Sequence, residues 1–94
     1  MEFKTTFWQD FTIADCFGLA AVKDTFNRAF REWRDDVEYL TELSIVLNWR
    51  LWRHYGAGND DYARLYNDLW LKVHNYAYDH LTGDDLTYYW RMTD

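Results

Sequence analysis

The 94-residue chain has a single cysteine, Cys16, no proline and four glycines. One cysteine cannot form an intramolecular disulfide, which excludes a disulfide-stabilised secreted scaffold and fits a reducing compartment. The first residues, 1–4, lack the basic and apolar stretches of a signal peptide. No apolar run approaches the ~20 residues that a membrane span requires. We therefore expect a cytoplasmic protein that has no membrane-spanning segment.

Positive charge is scarce as well. The chain has 10 Lys and Arg against 16 Asp and Glu, which gives a formal net charge of −6. Phosphates of nucleic acids and anionic lipids repel such a chain, so we expect no direct nucleic-acid binding and no membrane partner. An acidic surface can instead imitate DNA toward a DNA-binding protein, and composition leaves that alternative open.

Aromatic residues, in contrast, are abundant: 6 Trp, 8 Tyr and 6 Phe. Each buries about 150–250 Å² when it is enclosed, so a few of them can hold together the core of a small domain. The length allows one domain, which we place over residues 1–94. Aromatics in excess of the needs of the core would form a binding surface.

Helical periodicity runs through most of the chain, and the glycines divide it into segments. Apolar residues recur at steps of three and four, as Val22, Phe26, Phe30 and Trp33 illustrate. We predict an all-α fold, a small bundle of three long helices over about 19–35, 37–55 and 60–82, with short N- and C-terminal flanking segments. The predicted core contains Phe26, Phe30, Trp33, Leu40, Leu43, Leu47, Leu51, Leu65, Leu69 and Val73.

Helix boundaries are indicated by capping residues. The doublets Asp35-Asp36, Asp60-Asp61 and Asp84-Asp85 fall where helices are expected to start, where acidic side chains are favoured. Asp35 as N-cap, with Glu38 as its capping-box partner, would separate the first two long helices. The alternative is one continuous helix over 19–55.

The flanking segments give weaker signals. Thr12, with Asp15 three residues later, predicts a short capped helix that ends at Gly18. Gly56 and Gly58 are expected to end the second long helix, and Gly83 the third. Residues 84–88 could form a short turn, and the aromatic tail 86–94 could equally be extended.

No catalytic, cofactor or metal motif is present in the sequence. Cys16 has no histidine near it in sequence, and we expect it to be a small buried residue of a helix. His74 and His80 are six residues apart, whereas helical ligand pairs need three or four. His54 is expected to be partly buried near a helix C-terminus. We therefore predict that the protein is not an enzyme and uses no cofactor.

The segment 38–55 is apolar around most of its circumference. Leucines at positions 40, 43, 47 and 51 supply one stripe, which is what a bundle core needs. A second stripe must then be covered by the N-terminal aromatics, by a second copy of the chain or by another protein. We predict that this second stripe is a protein-binding site formed by Ile45, Trp49 and Trp52, with Arg50 and Arg53 at its rim. Trp and Arg are enriched at binding hot spots.

Four segments carry a resemblance: DFTIADCFG (10–18), KDTFNRAFREW (23–33), YLTELSIVLNWRLW (39–52) and YYWRMTD (88–94). They resemble a group of small uncharacterised proteins of mobile genetic elements and prophages in Gram-positive bacteria. The resemblance assigns no active residues. It implies an accessory factor that binds a host protein, as inhibitors of restriction or CRISPR defence do. We therefore expect a non-enzymatic protein-binding module of a mobile element or phage. The alternative is a self-associating helical protein, a homodimer with no separate target.

Overall fold

The computed structural model describes residues 2–93, and this part of the chain forms five α-helices and no strand. The helices are α1 (Phe7–Phe17), α2 (Leu19–Trp33), α3 (Val37–Ala57), α4 (Asp60–His80) and α5 (Gly83–Thr93). The all-α prediction is confirmed. The three-helix bundle is wrong, because both flanking segments are helices that pack on the three long ones. None of the helices within 2–93 is long and apolar enough to cross a membrane.

Helix α3 lies at the centre of the fold and contacts all four other helices. Its leucines at positions 40, 43 and 47 are fully enclosed, and the polar Thr41, Glu42 and Ser44 are buried as well. Residues 40–47 of α3 are buried on every side, which explains why this half of the helix is apolar around most of its circumference. Of the predicted core, Phe26, Leu40, Leu43, Leu47, Leu69 and Val73 are buried, and Phe30, Trp33, Leu51 and Leu65 are partly buried against them.

Helix α1 begins five residues earlier than the predicted cap at Thr12. Phe7, Phe11 and Ala14 are spaced as one helical face and are buried against the bundle. The capping prediction for Thr12 is therefore wrong, because this residue lies inside the helix and its hydroxyl donates to the carbonyl of Trp8 at 2.7 Å. Cys16 is in a helix, as expected, but it is exposed, because it lies on the side of α1 opposite Ala14.

The predicted break between the first two long helices is confirmed, since α2 ends at Trp33 and α3 begins at Val37. The capping residue is different. Asp36, with an extended backbone, accepts the backbone N–H of Tyr39 at 3.1 Å. Asp35 instead accepts the phenol of Tyr76 at 3.1 Å, and this bond ties the α2–α3 connection to α4. Glu38 pairs with Lys4 and is not a capping-box partner.

Only some of the remaining helix ends lie at the glycines where they were predicted. Gly58 ends α3 in the left-handed conformation (φ 78°, ψ 15°), whereas Gly56 lies within the helix. Asn59 precedes α4, but its side chain makes no capping bond. Helix α4 ends at His80, and Gly83 is the first residue of α5, so this glycine does not close α4. Residues 83–93 form a helix, which rules out an extended tail there.

Candidate protein-interaction site

Three aromatic side chains at successive three-residue steps form a stripe on the outer side of α3. Trp49, Trp52 and Tyr55 retain 45%, 60% and 65% of their accessible surface. We call these three residues the α3 aromatic surface. Arg53, one helical turn after Trp49, is also exposed and lies at its edge. Large aromatic side chains are more often buried in a small domain, so their exposure here makes this surface a candidate interaction site.

The N-terminal segment covers one end of this surface. The ring of Trp49 packs edge-on against Phe3 and Trp8, with ring centroids 5.5 and 6.3 Å away. The segment is held in place by Glu42, whose carboxylate accepts the backbone N–H groups of Lys4 and Thr5 at 3.1 and 3.0 Å. Trp49 is therefore supported from within the chain.

The other end of the surface is open. Trp52 packs edge-on against Tyr55 at 5.7 Å, and both side chains remain mostly exposed. Beside them, a shallow cavity of about 500 Å³ lies between α3 and α4, where Leu51, Ala63 and Asn67 form part of its lining. Trp52 and Tyr55 line the same cavity.

Two of the five predicted site residues are not on this surface. Ile45 is 7% exposed, because α5, expected to be no more than a turn, packs on α3 and brings Met92 to the same cavity as Ile45. Arg50 is 6% exposed, because it lies on the same helical face as Leu43 and Leu47 and its guanidinium pairs with Asp15 of α1. The structure thus brings together Trp49, Trp52 and Arg53 and adds Tyr55. It removes Ile45 from the predicted stripe and Arg50 from the predicted rim.

Arg50 belongs to a buried polar cluster centred on Asp15 of α1. One oxygen of the Asp15 carboxylate accepts from Arg50 and lies 2.6 Å from His54 Nε2, and the other accepts from the phenol of Tyr66. We call Asp15, Arg50, His54 and Tyr66 the Asp15 network. Burial and the adjacent Asp15 carboxylate raise the pKa of Tyr66, so its phenol stays neutral and donates.

Further contacts enclose the network. His54 Nδ1 lies 3.2 Å from the side-chain amide of Asn59, and the histidine ring stacks on those of Tyr62 and Tyr66 at 4.8 and 5.4 Å. The guanidinium of Arg50 lies over the ring of Trp8, 4.9 Å from its centroid. Both ring nitrogens of His54 are occupied by protein groups. The arrangement therefore joins α1, α3 and α4, on the side of α3 opposite Trp52.

A second polar chain joins α3, α4 and α5. The phenol of the buried Tyr89 donates to Ser44 Oγ at 3.0 Å and lies 3.1 Å from His74 Nδ1. Burial raises the pKa of Tyr89 and lowers that of His74, which favours the neutral form of both side chains. The His74 ring also stacks on Trp70 at 4.8 Å.

The sequence reasoning missed both polar clusters. Arg50 and His54 are four residues apart on an apolar helix, and this spacing was the available signal that one buried face of α3 carries polar groups. The burial of His54 near the end of its helix is confirmed. Within residues 2–93, no three His, Cys, Asp or Glu side chains converge where they could hold a metal ion.

No protein-family model, curated protein or solved structure matches this chain.

Proposed function

We propose that this chain is a non-enzymatic protein-binding module that contacts its partner through the α3 aromatic surface. The observation that supports this most directly is the exposure of Trp52 and Tyr55, which lie side by side at 60% and 65%. Tryptophan and tyrosine contribute most of the energy of protein interfaces when a partner excludes water from them. Arg53 at the edge could form charged contacts at the rim of such an interface.

The residues that pack against α3 hold the α3 aromatic surface in a fixed position, which favours binding. Trp49 is held by Phe3 and Trp8, and α3 itself is fixed on its opposite side by the Asp15 network. A surface that is already ordered loses little conformational entropy on association, which favours affinity. The buried polar clusters thus act, in this proposal, as the scaffold that holds α3 in position.

The kind of partner follows from the resemblance of four sequence segments to small proteins of mobile genetic elements and prophages. Such proteins are accessory factors, and we propose a host protein as the target, which the module inhibits or regulates. This is the role of inhibitors of restriction or CRISPR defence. The alternative is self-association through the same surface. The oligomeric state of the wild type and its variants distinguishes the two.

Affinity capture with matched variants tests the proposal. Tagged wild type, Trp52→Ala and Trp90→Ala would each be incubated with lysate of the bacterium that carries the gene. Trp90 of α5 is 58% exposed, nearly the same as Trp52, which makes it a close control. The affinity of each form for the captured protein would then be measured with purified components, and sedimentation would give the oligomeric state of each.

We expect Trp52→Ala to weaken binding by about 2 kcal/mol or more, as truncation of a hot-spot residue does, and Trp90→Ala to leave it unchanged. All three forms should sediment as monomers. Recovery of chaperones alone, or equal affinity of all three forms, would contradict the proposal. A wild-type dimer that Trp52→Ala dissociates would replace it with self-association.

A further inference from the structure

A second open surface lies away from the α3 aromatic surface, between α1 and α2. Gly18 is the single residue between these helices, and its positive φ of 113° lets the chain reverse there. The two helices enclose a groove of about 550 Å³. Ala14, Ala21 and Ala29 line it, and these small side chains leave the space between the helices unfilled.

One wall of this groove is apolar and strongly exposed. Ile13 and Phe17 are four residues apart on α1 and retain 58% and 80% of their accessible surface. Residues four apart on a helix lie on the same side, so the two side chains form one continuous apolar edge. The part of the chain that the structure describes leaves this edge uncovered, and exposed apolar edges of this kind mark contact surfaces.

The polar lining of the groove is mainly acidic. Asp10 of α1 and Asp24 and Glu32 of α2 contribute three carboxylates, against the single guanidinium of Arg28. A second copy of the chain seated here would place carboxylates opposite carboxylates, because a twofold interface uses the same patch on both subunits. Like charges in contact oppose association, which argues against a homodimer through this groove.

We propose that this groove binds an amphipathic helix of a partner protein, one whose apolar face is flanked by Lys or Arg. The apolar residues of that helix would pack on Ile13 and Phe17, over the alanines, and its basic residues would face Asp10, Asp24 and Glu32. Helix-in-groove binding requires an apolar cleft for residues at helical spacing, together with complementary charge at the rim. The groove supplies both. This inference uses α1 and α2 and does not rest on the α3 aromatic surface.

Two labelled peptides provide the probe. Each would be about 18 residues long and helix-stabilised, with the same leucine face; one would carry lysines beside that face and the other glutamates. Binding would be measured by fluorescence polarisation at low and at high salt. The protein variants would be Phe17→Ser, the double variant Asp24→Lys/Glu32→Lys, and Trp52→Ala. Tyr78→Ser, which changes an exposed aromatic of α4, is the matched control.

We expect the lysine peptide to bind and the glutamate peptide to bind at least about tenfold more weakly. Phe17→Ser and the charge reversal should each weaken binding of the lysine peptide at least about tenfold, and high salt should weaken it as well. Trp52→Ala and Tyr78→Ser should leave it unchanged. All variants alter exposed side chains, and circular dichroism would confirm that each remains folded.

Equal binding of the two peptides, no binding of the lysine peptide, or unchanged affinity in Phe17→Ser would each overturn the inference. Loss of the peptide in Trp52→Ala, with Phe17→Ser unaffected, would assign the binding to the α3 aromatic surface. That outcome also rejects the groove while leaving the proposed function intact. Failure of the groove and failure of the α3 aromatic surface can therefore be told apart.

Discussion

The carboxylate of Asp15 on α1 is paired with the guanidinium of Arg50 on α3. The two side chains retain 10% and 7% of their accessible surface, so the pair is almost fully removed from water. Removal of one partner from a buried ion pair leaves the other charge uncompensated. We predict that Asp15→Asn lowers the free energy of unfolding by about 3–5 kcal/mol, measured by urea denaturation.

The exposed Asp68 of α4 provides the control for this change. Asp68→Asn should alter the free energy of unfolding by no more than about 0.5 kcal/mol, as surface substitutions usually do. Equal stabilities of the two variants would show that the Asp15 network does not hold α1 on the bundle.

Gly56 and Gly58 should respond to alanine with opposite signs. Gly58 has a left-handed backbone, which an L side chain disfavours, so Gly58→Ala should destabilise the fold by about 1–2 kcal/mol. Gly56 lies within α3, and Gly56→Ala should stabilise it by about 0.5–1 kcal/mol. A Cβ at either position would meet nothing within 4 Å, so a steric clash does not obscure the comparison. Urea denaturation of both variants measures it, and changes of the same sign would contradict the assigned end of α3.

His74 should contribute a specific pH dependence. Burial lowers its pKa below the ordinary value of 6.5, so the unfolded chain takes up the proton at a higher pH than the folded one does. The stability that neutral His74 provides is therefore present above pH 6.5 and is lost as the pH falls through the folded-state pKa. His74→Asn, which can keep a hydrogen bond to Tyr89, should lose less stability than wild type between about pH 8 and pH 5.

Urea denaturation across that pH range measures the effect, and titrating groups shared by the two forms cancel in the difference between them. Asn75→Gln, which changes the exposed neighbouring position and removes no titrating group, is the control and should follow the wild-type curve. If His74→Asn lost as much stability as wild type over this pH range, the pKa of His74 would not be lower in the folded chain than in the unfolded one.

Trp49 and Trp52 should differ in their effect on stability, although both belong to the α3 aromatic surface. Trp49 packs on Phe3 and Trp8, so Trp49→Ala should lower the free energy of unfolding by about 1–2 kcal/mol. Trp52 is 60% exposed and packs on the exposed Tyr55, so Trp52→Ala should change it by less than about 0.5 kcal/mol. Thermal and urea denaturation of the two variants test this, and a large loss in Trp52→Ala would mean that Trp52 is part of the core.

The sequence could predict those parts of the fold that a strong apolar stripe defines. Helix α3, its separation from α2 and most of the core follow from leucines and aromatics at helical spacing. Helix α1 carries a comparable stripe, but its third member is Ala14, which has little hydrophobicity of its own. Helix α5 buries Tyr89 and no other side chain among its described residues, and the phenol of Tyr89 donates a hydrogen bond to Ser44. One buried side chain produces no recurring pattern of apolar residues in the sequence.

The site was predictable only in part, for a geometric reason. Trp49 and Trp52 lie on the same side of α3. The helical period is enough to predict that this side differs from the one that carries the leucines. The burial of Arg50 depends on Asp15, which lies 35 positions away in sequence and meets it only because α1 packs across α3. Local spacing does not encode this packing of α1 on α3, so the sequence alone places Arg50 at the rim of the surface.

Site-specific photo-crosslinking in the native cells tests the central claim most directly. A photoreactive phenylalanine analogue would replace Trp52 in one form and Trp90 in another, two positions of nearly equal exposure on different helices. Because a crosslink forms only within contact distance, position 52 should trap one specific protein on illumination, and position 90 should trap none in comparable yield. If the two positions trap the same proteins equally, or position 52 traps nothing, the α3 aromatic surface is not where this protein binds its partner.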